Sequence, residues 1–171
     1  INDVDLQPIT DIDNGTVLFS ATYNFDENII YLDGNDLHGR QLYSLSLESF
    51  ELIKVSNQKW DTRNPDYENK KLCYSEDKSG IFNIVCESTK DKFFLTNVIG
   101  GAFMPDVNKN GDVLFSSYKN GEYKILITNM NSNSNESDIG YSSEYYSNRP
   151  TSILISDKDN QAKYLNSPET K

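Results

Sequence analysis

Asp106-Val107-Asn108-Lys109-Asn110-Gly111 places side-chain oxygens at alternate positions and a glycine at the sixth. That is the first half of a calcium-binding loop, in which hard oxygen ligands converge on a divalent cation. Such a loop closes with a bidentate carboxylate at its twelfth position, where this chain has Ser117. A glycine-bearing turn between two strands is the favoured reading, with Asp106, Asn108 and Asn110 kept as a calcium candidate. His38 is the single histidine, and no Gly-x-Ser-x-Gly elbow accompanies it, so a Ser-His-Asp triad has little to build on. A zinc site drawing on His38, Cys73 and Cys86 lacks the usual ligand spacing. Neighbouring acids such as Glu76 and Asp77 are expected by chance among 26 acidic residues. The sequence thus points to no catalytic residue, no enzyme activity in this chain and no cofactor.

Trp60, with Asp61 and Arg63 close behind, is a pair type that anchors ligands through cation–π and packing contacts. Packing between neighbouring sheets fits the same residues. Tyr23, Asp33, Asn35 and His38 lie in the segment from Ala21 to Gly39, which reads as an insertion into the repeat set out next. Departures from a repeat gather on a working face. The binding candidates are therefore Tyr23, Asp33, Asn35, His38, Trp60 and Arg63.

The elements that would position these residues come from an internal echo. Leu72–Val85 returns as Val113–Leu126. At one constant offset, Tyr74, Ser75, Lys78, Gly80, Phe82 and Ile84 are answered by Phe115, Ser116, Lys119, Gly121, Tyr123 and Ile125. A fixed period of this size marks a repeat architecture. Short aromatic and β-branched runs broken by Gly-bearing turns make the unit β, and about 40–45 residues is one four-stranded propeller blade. A less regular copy lies upstream. Tyr43 precedes Ile84 by the same offset, while Val55-Ser56-Asn57 and Asn64-Pro65-Asp66 precede Leu95-Thr96-Asn97 and Met104-Pro105-Asp106 by one position less. Asn14–Ser20 resembles Asn110–Ser116, which implies about 14 extra residues in the first copy, with Asp33-Gly34-Asn35 as a turn.

The expected fold class is all-β, with blades of four antiparallel strands forming part of a larger, six- to eight-bladed propeller. Three repeats span about 1–57, 58–97 and 98–130. Residues 131–171 read as a polar linker, a short strand at Ser152–Ser156 and a tail. Three copies are too few to close a ring, since six blades need about 240 residues at this period. The chain opens at Ile1 with no apolar signal region behind it, so it reads as a processed or excised piece.

A net charge of −10 and a pI near 4.5 argue against nucleic acid as a partner, which needs concentrated Lys and Arg. No apolar run is long enough for a membrane-spanning helix. Cys73 and Cys86 flank the turn Lys78-Ser79-Gly80. In a symmetric hairpin they face each other, and a one-residue slip separates them to opposite faces. A cross-strand disulfide of an oxidising compartment and two buried thiols used as small apolar residues both fit.

Pro105-Asp106, the Asn110-Gly111 turn, the strand Val113–Ser117 and Gly121-Glu122-Tyr123-Lys124-Ile125 together resemble a blade of the TolB-like (WD-like) β-propeller repeat family. Pro65 to Ile84 is similar but lacks the turn glycine, and Asp13-Asn14-Gly15 keeps it in the first copy. The resemblance covers roughly residues 4–130. It implies a scaffold and binding surface, with a protein partner or the remaining blades of a larger propeller as the contact. It also implies a periplasmic, cell-envelope or secreted setting. The alternative it carries is the propeller domain of a prolyl-oligopeptidase-type peptidase, or of another enzyme whose catalytic part lies elsewhere.

Overall fold

The computed structural model describes residues 8–10, 16–36 and 39–132. Its strands form three antiparallel meanders. Sheet A holds β1 (Val17–Asn24), β2 (Ile29–Asp36), β3 (Gly39–Ser46) and β4 (Leu52–Lys54). Sheet B holds β5 (Thr62–Glu68), β6 (Lys71–Glu76), β7 (Asn83–Glu87) and β8 (Lys92–Phe94). Sheet C holds β9 (Ala102–Val107), β10 (Asp112–Lys119) and β11 (Glu122–Asn129), and one 3-10 turn, Met130–Ser132, follows. Sheets A and B match the four-stranded blade; sheet C has three strands among the described residues. The linker, strand and tail expected over 133–171, and His38, lie outside the described residues.

Local chemistry explains the hairpins. Between β1 and β2, the Asn24 side-chain oxygen accepts hydrogen bonds from the Asp26 and Glu27 amides at 3.0 and 3.2 Å, a side-chain-stabilised turn. Asn120-Gly121, between β10 and β11, has positive φ at both residues, as a type I′ hairpin turn requires. Asn69-Lys70 does the same between β5 and β6, with φ of 54° and 59°, although neither residue is glycine.

The first strand of each sheet is bulged: pairing shifts between Leu18 and Ala21 in β1, between Arg63 and Asp66 in β5, and opposite Leu114–Ser116 in β9. Asn64 and Met104 both take left-handed φ, 53° and 54°, and each precedes a Pro-Asp pair. An extra residue there bends the strand and strengthens its twist. These first strands also adjoin: β5 touches β1, β2 and β3, and β9 touches β5, β6 and β7. The sheets are thus laid face to face in one sense, as consecutive blades are. The described residues form an open stack, without a closed ring.

Alternation along each strand supplies both faces. Leu72, Tyr74, Val85 and Phe94 pack with Leu42, Tyr31 and Tyr67 between sheets A and B. Cys73, Ile84 and Cys86 pack with Ala102, Val107, Val113 and Phe115 between sheets B and C. Burying a side chain such as Ile84 contributes about 1.5–3 kcal/mol. Leu32, Tyr43 and Leu45 form a third cluster on sheet A. Cys73 and Cys86 stand directly opposite in register and are joined as a disulfide. Of the two readings open from sequence, this is the one the fold adopts, and both residues still fill core space.

The first repeat needs a correction. The segment read as an insertion is the end of β1, its turn and β2, and β2 is hydrogen-bonded along its length to β3. Asp33-Gly34-Asn35 therefore lies inside a strand, not in a turn. Val17–Ser20 belongs to a first strand, whereas the stretch it echoes, Val113–Ser116, belongs to a second strand. Both are apolar runs after an Asn-Gly pair, and that shared pattern aligned them one strand out of step.

Candidate functional site

A polar network recurs in sheets A and B. The Leu42 amide donates to Ser56 Oγ at 2.7 Å, Ser56 Oγ donates to Gln41 Oε1 at 3.0 Å, and the Gln58 amide reaches the same oxygen at 3.0 Å. In sheet B the Ile84 amide donates to Thr96 Oγ1 at 2.8 Å, Thr96 Oγ1 to Asn83 Oδ1 at 3.0 Å, and the Val98 amide to Asn83 Oδ1 at 2.8 Å. Each ties the strand-to-strand exit of a sheet to its third strand, satisfying buried amides that would otherwise cost stability. Gln41 and Asn83 differ in type and stand one position off the period of the echo, so the sequence pattern did not single them out. The match Ser56–Thr96 was visible.

The expected binding residues do not assemble into one site. Asp33 is fully buried, ion-paired to the Arg40 guanidinium, and accepts the Asn64 amide at 3.3 Å. It joins sheet A to β5. Arg63 donates to Asp61 at 2.5 Å and lies 4.7 Å over the Phe82 ring, while Asp61 accepts the Arg40 amide at 3.1 Å. The Trp60 carbonyl accepts from Gln41 at 3.0 Å, and Lys78 faces its ring at 5.6 Å. Asp33, Trp60 and Arg63 thus share one end of the stack as joints between sheets. Asn35 is exposed at that end, opposite Arg40 in register. Tyr23 stands at the other end of β1, bonded to Asn28 at 2.5 Å.

The calcium candidate is a turn. Asn108 Oδ1 accepts the Asn110 and Asp112 amides at 2.8 and 3.0 Å, and the loop joins β9 to β10. Among the described residues, no group of three or more His, Cys, Asp or Glu is placed to hold a metal ion.

Two other features stand open. One is a cleft of about 610 Å³ between sheets A and B, at the turn end that carries Tyr23. Tyr31, Tyr67 and Leu72 line it together with Asp26, Glu27 and Glu87. The two tyrosine rings stack at 5.7 Å and 28°. Burial, and then Glu27 and Glu87, push the Tyr31 hydroxyl above its ordinary pKa. Burial, with Glu27 and Asp26, does the same for Tyr67. Nothing in the repeat pattern signalled this cleft, because its residues come from three separate turns, four strands and the loop after β4.

The other is the outer face of sheet C. Leu114 pairs with Ile127, Ser116 with Ile125 and Tyr118 with Tyr123, so these side chains share a face. One repeat earlier, the counterparts of the first two pairs are Cys73–Cys86 and Ser75–Ile84. In sheet B those positions are 0% exposed beneath sheet C; in sheet C, Leu114, Ile125 and Ile127 are 44%, 71% and 66% exposed.

No family model matches the chain, and no curated protein does. Solved structures match the fold. TolB of Acinetobacter baumannii is similar over 74% of this chain and 33% of its own, at 16% identity and a TM-score of 0.61. A structure described as putative TolB from Agrobacterium tumefaciens is similar over 69% of this chain and 47% of its own, at 14% identity and a TM-score of 0.61. A chain of a nidogen/laminin complex gives 70%, 46%, 10% identity and 0.58. The chain therefore spans less than half the length of each of these structures. At such identities the likeness is one of fold: antiparallel sheets arranged as propeller blades.

Proposed function

We propose that this chain is a non-catalytic propeller-type module, a scaffold or protein-binding part of a bacterial cell-envelope protein. Its outer sheet-C face receives a further sheet. The observation that carries this is the equivalence just described: the same positions that sheet C covers on sheet B are bare on sheet C. A contiguous exposed apolar face of this kind is an interaction surface. Asp106 adds a polar contact to the reading. Asp66, at the same place in the Pro-Asp pair, accepts the Val107 amide of the next sheet at 2.7 Å, and Asp106 is exposed. The disulfide supports an oxidising compartment, where such bonds persist.

Hydroxyl-radical footprinting of Ile125 and Ile127 tests the reading, comparing the isolated chain with the protein in its native host. Protection in the host alone is the expected result. Equal labelling in both would show that nothing covers the face, and the module reading would fall with it.

A further inference from the structure

We infer that the cleft between sheets A and B binds an ammonium or guanidinium group carried on an aliphatic stem. Its volume is in the range of small-ligand pockets, and its lining suits both ends of such a ligand. The stacked Tyr31 and Tyr67 rings with Leu72 give an apolar surface for the stem, and aromatic faces attract a cation. Asp26, Glu27 and Glu87 line the cleft against a single lysine, Lys70, so the net charge of the lining favours a cation. Two of these carboxylates are held in place by neutral donors: Asn24 Nδ2 bonds Glu27 at 3.1 Å, and the Tyr74 hydroxyl bonds Glu87 at 3.1 Å. These contacts orient the oxygens without cancelling their charge. Both sheets contribute, so the site exists only when sheets A and B are stacked. It lies on a different face from the exposed side of sheet C, and its test is independent of that surface.

The test is calorimetric titration of the whole chain with N-acetyl-arginine amide, its uncharged isostere N-acetyl-citrulline amide, and spermidine. Binding of a cation, with none of the citrulline compound, is expected, and it should weaken as salt rises. Tighter binding of the arginine compound assigns the site to a basic side chain of a protein. Tighter binding of spermidine assigns it to a free polyamine. Glu27→Gln keeps the oxygen that Asn24 bonds while removing the charge, and should lower affinity about tenfold, a change of about 1.4 kcal/mol. Tyr67→Phe should retain binding and Tyr67→Leu should lose it, with both variants' folding checked by circular dichroism. Equal binding of arginine and citrulline compounds, or no heat from either cation, overturns the proposal. So does a folded Tyr67→Leu variant with unchanged affinity.

Discussion

Asp66 joins all three sheets. Its carboxylate takes hydrogen bonds from Thr22 Oγ1 of β1 at 3.2 Å and from the Val107 amide of β9 at 2.7 Å. Burial pushes its pKa above the ordinary value, and the Val107 and Thr22 bonds pull it part of the way back. An acid whose pKa is raised by folding holds its proton more tightly in the folded chain. Its stabilising share is whole below the unfolded pKa and is lost as pH rises through the folded one. Asp66→Asn keeps an acceptor for Val107 and removes the charge, so its stability relative to the parent should improve between about pH 4 and about pH 7. Asp66→Ala leaves the Val107 amide without that acceptor and should cost about 1–3 kcal/mol. Urea denaturation at the two pH values checks both variants. A parent and Asp66→Asn that keep a constant stability difference across that range would remove the charge argument.

Among the elements, the β5–β6 hairpin holds strain. Lys70 takes left-handed φ in a two-residue turn whose geometry favours glycine, and such a conformation costs a side-chain-bearing residue about 1–2 kcal/mol. Lys70→Gly is expected to stabilise the chain by about 1 kcal/mol, read from the denaturation midpoint at unchanged slope. Sequence showed that this turn lacks glycine, but not that its backbone adopts the glycine-type shape regardless. The echo between β6–β7 and β10–β11 was legible because both hairpins alternate apolar and polar residues at one spacing. The Pro-Asp pairs marked two of the three bulged first strands for the same reason. Sheet A was misread because Asp33 and Gln41 occupy buried positions where a strand pattern calls for apolar residues. Their cost is met by partners outside their own strands, Arg40 and Asn64 for Asp33, and Ser56 and Gln58 for Gln41. The cleft was hidden for a related cause: its residues have no common period, and only stacking brings their turns together.

At the scale of the whole molecule, stability is shared along a line of sheets. Sheet B is covered on both sides, and Leu72 to Glu76 of β6 are all buried. Among the described residues, sheet C is covered on one side only. Stacked repeats draw their stability from neighbouring interfaces, which makes the B–C contact the place where sheet C is held. The disulfide sits in that contact, with both cysteines fully enclosed, and thiol exchange requires access to a sulfur. A reductant can therefore reach the bond only after sheet C lifts away, so the bond is a timer for that event. With rising dithiothreitol, the rate of thiol appearance should level off at the lifting rate. A rate that climbs in proportion to reductant throughout, and is unchanged when Val113→Ala loosens the B–C contact, would mean the sulfurs are reached with the stack intact. Whatever seats itself on the far side of sheet C would hold the sheet down and slow the clock.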